Sequence, residues 1–136
     1  MTSYKNTAAA KPGCWRFIPA AVWFVLVLIA VFFPVPEGDG GGWFDIENFD
    51  KLIHAVMFGG LVFLTCWPYK NVAIPVGEKT NLFIRIMLAT IVWGLTTELI
   101  QKYFIPGRQY DLLDWLADAA GAIIAFAICR RLFAKA

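Results

Sequence analysis

Nine side chains in this 136-residue chain have the types and spacing to act together: Asp50, Lys51, His54, Glu98, Gln101, Arg108, Asp111, Asp114 and Asp118. In the stretch DKLIH, Lys51 and His54 are three residues apart and Asp50 and His54 four, so on a helix they share a face. Glu98, Gln101 and Lys102 share a face by the same spacing. Asp111, Asp114 and Asp118 fall at i, i+3 and i+7 and make one stripe. Three kinds of chemistry suit this set. Lys51, Lys102 and Arg108 suit a phosphate or carboxylate, with Arg108 as a bidentate clamp, while the acids and Gln101 suit sugar or amide groups. His54 beside a carboxylate suits a general base. His54, Glu98, Asp114 and Asp118 include the ligand types of a carboxylate–histidine metal site. No Gly-x-Ser-x-Gly nucleophile motif is present.

The elements that must hold these residues are helices in a membrane. The chain is 60% hydrophobic and 16% charged, against about 25% charged in a soluble domain. Its mean hydropathy is +0.64. Four apolar stretches stand out, at residues 16–34, 49–68, 82–104 and 111–131. Each is near the ~20 residues that cross a ~30 Å hydrocarbon layer as a helix. A helix satisfies its own backbone hydrogen bonds there, and the short alternating segments of a β-barrel are absent. The expectation is an all-α membrane domain over residues 16–131, with tails at 1–15 and 132–136.

Punctuation supports those limits. Pro34 and Pro36 stop the first segment, Pro68 stops the second, and Pro106-Gly107 turns the chain between the third and fourth. The run GDGGG at residues 38–42 reads as a linker, since the Lys-Ser or Lys-Thr of a phosphate loop does not follow. The first segment is longer than a ~7–15-residue signal core and no Ala-x-Ala site follows, so it reads as a retained helix.

Charge sets the expected orientation. With the N-terminus inside, the inner side collects Lys5, Lys11, Arg16, Lys70, Lys79, Arg85, Arg130, Arg131 and Lys135, nine of the twelve basic residues. Lys51, Lys102 and Arg108 are left outside. The positive-inside rule then puts both termini in the cytoplasm. Of the acids only Glu78 falls inside. Cys14, Cys66 and Cys129 fall near the reducing face, and their number and spacing make neither a disulfide framework nor a zinc site. Trp15, Trp43, Trp67 and Trp115 lie near the expected interfaces.

Hydrocarbon repels charge. An ionisable side chain at the centre of a span costs at least about 2.5–3.5 kcal/mol on insertion scales. The acids, bases and imidazole of three spans should therefore converge on one another or on an outward-facing pocket. Glu98 lies about 12 Å inside Pro106 and Asp118 about 10 Å inside Asp111, so both reach a similar depth. Small residues mark where helices approach: Ala117, Gly121 and Ala125 on the fourth, Gly59-Gly60 on the second and Gly94 on the third. The first helix, with no charge between Arg16 and Glu37, is expected to be a wall outside the polar face.

These motifs resemble those of the VanZ-like membrane protein family. Asp50-Lys51-Leu52-Ile53-His54 is similar to its D-K-x-x-H opening. Glu98 to Gln101, Pro106-Gly107-Arg108, Asp111, Asp114 and Gly121 are similar to the signature that follows, in the same order. Asp118 departs from it, since the family more often carries Asn there, and a second acid changes the charge the resemblance assigns to the site. The resemblance implies a multi-pass protein of the bacterial inner membrane and a link to glycopeptide (teicoplanin) resistance. It implies no particular reaction.

Four functions follow. The cluster is a network that fixes helix register; or a pocket for a cell-envelope lipid or lipid-linked cell-wall component; or the centre of an intramembrane acid–base or metal-dependent enzyme; or part of an ion path, for which the apolar inner halves of the helices offer no continuation. The charge balance of +2 excludes the basic stripe of a nucleic-acid binder. Expected partners are membrane lipids, a lipid-linked precursor and a second copy of the chain. No cofactor or metal is expected from the sequence.

Overall fold

The computed structural model describes residues 11–33, 49–105 and 111–135. Four helices carry the fold. A 3-10 turn at Cys14–Phe17 leads into α1, Ile18–Phe32, and α2 spans Phe49–Cys66 before ending in a 3-10 turn at Trp67–Tyr69. Next come α3, Val76–Phe104, and α4, Leu112–Phe133. All four are long and apolar enough to cross a membrane, and no strand occurs among the described residues. The helix-bounding residues Pro34, Pro36, Pro106 and Gly107, the run at 38–42 and Trp43 lie outside them.

One boundary differs from expectation. The third apolar stretch begins at residue 82, yet α3 begins at Val76 with Pro75 as its N-cap. Lys79 N–H donates to the Pro75 carbonyl at 3.0 Å, and the Thr80 hydroxyl donates to Val76 O at 2.8 Å. The first turn is polar (Gly77, Glu78, Lys79), so hydropathy hides it, while Glu78 there favours the helix dipole. At 29 residues α3 is about 43 Å long, more than the hydrocarbon thickness. Its polar first turn can therefore stand outside the lipid.

Contacts define the two ends of the bundle. At one end Phe17 meets Tyr69 with ring centres 5.8 Å apart, and Lys79 Nζ donates to Phe133 O at 3.2 Å. That joins the start of α1 to the end of α2, and the start of α3 to the end of α4. At the other end Gln101 Nε2 donates to Val31 O at 2.8 Å, joining α3 to the last turn of α1. Consecutive helices therefore run antiparallel.

The core lies on the α2–α4 seam. Gly121 sits so close to Ala55 of α2 that a Cβ would overlap the Ala55 carbonyl, and a Cβ on Gly59 would stand 2.9 Å from Gly121 O. Small residues thus let two backbones touch, which is how helices gain packing where lipid tails are as apolar as side chains. Below this crossing Val62, Cys66, Phe83, Ala122, Ala125 and Cys129 form a buried cluster. Both cysteines are free. The first helix packs through Val27 and Val31 against Phe58, and its Trp23 Nε1 donates to Met57 O at 2.8 Å. Val22, Val25, Leu26 and Ile29 on its other face are exposed, as a lipid-facing surface should be.

Candidate functional site

Three helix ends build one polar centre. Its deepest pair is His54 on α2 and Asp118 on α4, with Nδ1 and Oδ1 2.9 Å apart. Asp118 lies on the buried ridge of α4 with Gly121, Ala122 and Ala125, so the register that seats Gly121 against Ala55 also aims Asp118 at His54. Two further residues shape the seat. A Cβ on Gly94 of α3 would stand 2.9 Å from Asp118 Oδ2, so only glycine leaves room for that carboxylate. Phe58, one turn beyond His54, lies parallel to the imidazole with centres 6.5 Å apart.

Asp114, one turn toward the helix end, brings Oδ2 to 3.9 Å from His54 Nε2. The imidazole therefore has a carboxylate on each nitrogen. Nearer the surface Lys51 reaches Asp50 at 3.1 Å, Asp114 at 3.7 Å and Asp111 at 4.0 Å. Asp111 also caps α4, its Oδ1 accepting from Leu113 N–H at 2.8 Å. From α3, Glu98 Oε2 accepts the Asp111 N–H at 3.4 Å. The end of α3 and the start of α4 are thereby tied across their connection.

The structure brings together Asp50, Lys51, His54, Glu98, Asp111, Asp114 and Asp118. Gln101 is buried beside them on α3, but its amide is spent on α1 through Val31 O. The first helix is thus more than an outer wall: a polar side chain from α3 holds its last turn. Arg108 lies outside the described residues. Lys102 is exposed, with its ammonium 5.4 Å from the Tyr103 ring, and makes no described contact with the acids. Lys51 is occupied by three carboxylates. Of the three cations expected to form a clamp, only Lys51 is among the described contacts of the centre, which is acidic in its described part. Gly94 was readable as a packing residue, but its place beneath Asp118 depends on how α3 meets α4, which spacing within one helix does not encode.

Several acceptors in this centre are unused. Glu98 Oε1 and Asp118 Oδ2 are buried without a hydrogen-bond partner among the described residues, as is Gln101 Oε1, while Asp114 Oδ1 has the Lys51 ammonium at 3.7 Å. Buried acceptors normally have partners, and leaving one unmade costs about 1–3 kcal/mol. Side-chain exposure also rises outward: 0% at Asp118, 12% at His54, 13% at Asp114, 24% at Lys51, 46% at Asp111 and 59% at Asp50. The carboxylates form a graded polar lane from the bundle interior to one end.

Such a bundle, with its acidic and imidazole groups gathered at one end of three spans, defines an integral membrane protein with an internal polar site. The VanZ/LLP1 family model matches residues 15–134, and the chain belongs to that family. Comparison with curated proteins and with solved structures gave no match.

Proposed function

We propose that the protein sits in the bacterial inner membrane with both termini in the cytoplasm, and that its polar lane binds the head group of a cell-envelope lipid or lipid-linked cell-wall component from the outer leaflet. The observation that carries this reading is the pair of unpartnered, buried carboxylate oxygens on Glu98 and Asp118 at the inner end of a row of acids whose exposure rises toward one end of the bundle. Acceptors without donors suit a ligand rich in hydroxyl, amide or amine groups, as sugar and peptide head groups are. A lipid reaches the lane laterally or from the outer face while its tails stay in hydrocarbon. Arg108, in the connection from α3 to α4, supplies the fork for a phosphate or carboxylate on the same molecule. Capture of such a component would link the protein to glycopeptide tolerance, since these drugs act on cell-wall precursors outside the membrane.

The test is binding of a lipid-linked disaccharide-peptide and of phosphatidylglycerol to detergent-purified protein. Glu98→Gln and Asp114→Asn should weaken the first by about tenfold, the value of one hydrogen bond to a charged group. Arg108→Lys should weaken it too, because a point charge cannot reproduce a bidentate fork. Equal affinity in all three folded variants overturns the reading.

A further inference from the structure

We propose that His54, Glu98 and Asp118 hold a divalent transition-metal ion, manganese or zinc, at the inner end of the polar lane. The inference rests on the reading of this centre as a binding site and names the first thing it binds. One donor atom from each residue lies within 4.8 Å of the other two. Donors on one ion with bonds of about 2.0–2.2 Å stand roughly 3–4.4 Å apart, so small side-chain rotations close the set. The three donors come from α2, α3 and α4, so the site is a product of the tertiary fold.

Charge supports the same assignment. Glu98 and Asp118 are buried, at 1% and 0% exposure, in two helices long and apolar enough to cross a membrane. Lys51 is engaged by Asp50, Asp111 and Asp114, which leaves His54 as the nearest basic group to the deep pair among the described residues. Two buried carboxylates against one imidazole is a costly balance in a low dielectric, and a divalent ion corrects it. Each deep acid keeps an oxygen without a partner, Oε1 of Glu98 and Oδ2 of Asp118. The glycine at 94 keeps space beside the second of these. One imidazole nitrogen and two carboxylates suit manganese or zinc better than the softer copper(I), which favours thiolate and thioether. Asp114, 3.9 Å from His54 Nε2, stands on the outward side, where an oxygen of a head group would complete the coordination.

Protein in detergent is stripped with chelator, dialysed against manganese and assayed for bound metal by mass spectrometry and electron paramagnetic resonance. One ion per chain is expected, with nitrogen hyperfine coupling from His54. Glu98→Gln and His54→Gln should each lower affinity tenfold or more, while Glu78→Gln at the opposite end of α3 leaves it unchanged. Absence of a stoichiometric ion both at millimolar manganese and after dialysis against zinc, or of nitrogen coupling in the manganese-loaded unmutated protein, overturns the proposal without any variant. Head-group binding measured on the stripped protein separates the two readings. Lipid bound without metal, and no metal taken up on reloading, removes the ion and leaves the lipid. Metal bound with no lipid does the reverse.

Discussion

His54 Nδ1 and Asp118 Oδ1 meet at 2.9 Å across the α2–α4 seam, 64 residues apart in the chain. The pair is the point where packing and chemistry share one geometry. If the contact stabilises the bundle, His54→Gln and Asp118→Asn will be non-additive. A double-mutant cycle in mixed micelles, followed by helicity during denaturation, should give a coupling of about 0.6–1.7 kcal/mol, the range of polar contacts in membrane helices. Additive effects would show that the two side chains are neighbours without energetic linkage.

Gly121 tests the seam itself. Its missing side chain is what lets α4 reach Ala55, so Gly121→Ala must part the helices or bend one of them. Overpacking of this kind costs about 1–3 kcal/mol. Gly77 is the control: it sits in the first turn of α3 with open space around it. Gly77→Ala should be neutral or stabilising by up to about 1 kcal/mol, since alanine loses less backbone entropy in a helix. Equal effects of the two substitutions on the denaturation midpoint would contradict the close crossing.

Much of this arrangement was readable in the chain. The spacing of Asp111, Asp114 and Asp118, and of Asp50, Lys51 and His54, put each set on one helix face, and the cost of charge in hydrocarbon required the faces to meet. Antiparallel order followed from four apolar spans. What stayed hidden depends on contacts between spans. The amide of Gln101 looked like a member of the cluster, but its partner is the orphan Val31 carbonyl at the end of α1, and no pattern within α3 announces that. Lys51 looked free to bind an anion until the acids of α4 were placed around it. The polar start of α3 escaped a reading based on hydropathy, because a helix emerging from lipid loses its apolar signal before its backbone hydrogen bonds end.

Gln101 therefore gives a prediction about α1 rather than about the lane. Gln101→Leu keeps the volume and removes the donor to Val31 O. The carbonyl is then left unmet in a buried place, at a cost of about 1–3 kcal/mol. Hydrogen exchange should rise in the last turn of α1 while α2 and α4 keep their protection. Uniform exchange across all four helices, or none altered, would show that the bond does not hold α1.

Gly94→Ala separates occupancy of the centre from stability of the bundle. The new methyl would stand 2.9 Å from Asp118 Oδ2 and 3.3 Å from the Phe58 ring. A carboxylate can swing aside more easily than a backbone can move, so the helices should hold and the Asp118 oxygen should shift. The expected result is a loss of metal or head-group affinity of tenfold or more with a denaturation midpoint close to that of the unmutated protein. Unchanged affinity would place the ligand away from Asp118.

Orientation is the last expectation, and it follows from which bundle end holds which charges. Phe17, Tyr69, Lys79 and Phe133 mark one end by contact, and Arg16, Lys70, Arg130, Arg131 and Lys135 belong to the same end by their places on the helices. The acidic lane occupies the other. Anionic lipid and the positive-inside rule favour the basic end in the cytoplasm. Cysteine introduced at Lys135 should react with a membrane-impermeant maleimide only after the cells are permeabilised, and cysteine introduced at Asp50 should react in intact cells. Lys51 and Lys102, at the acidic end, and Arg108, in the connection from α3 to α4, are too few to oppose this bias. Labelling of the C-terminal position in intact cells would invert the molecule, and the lane would then face cytoplasmic ligands.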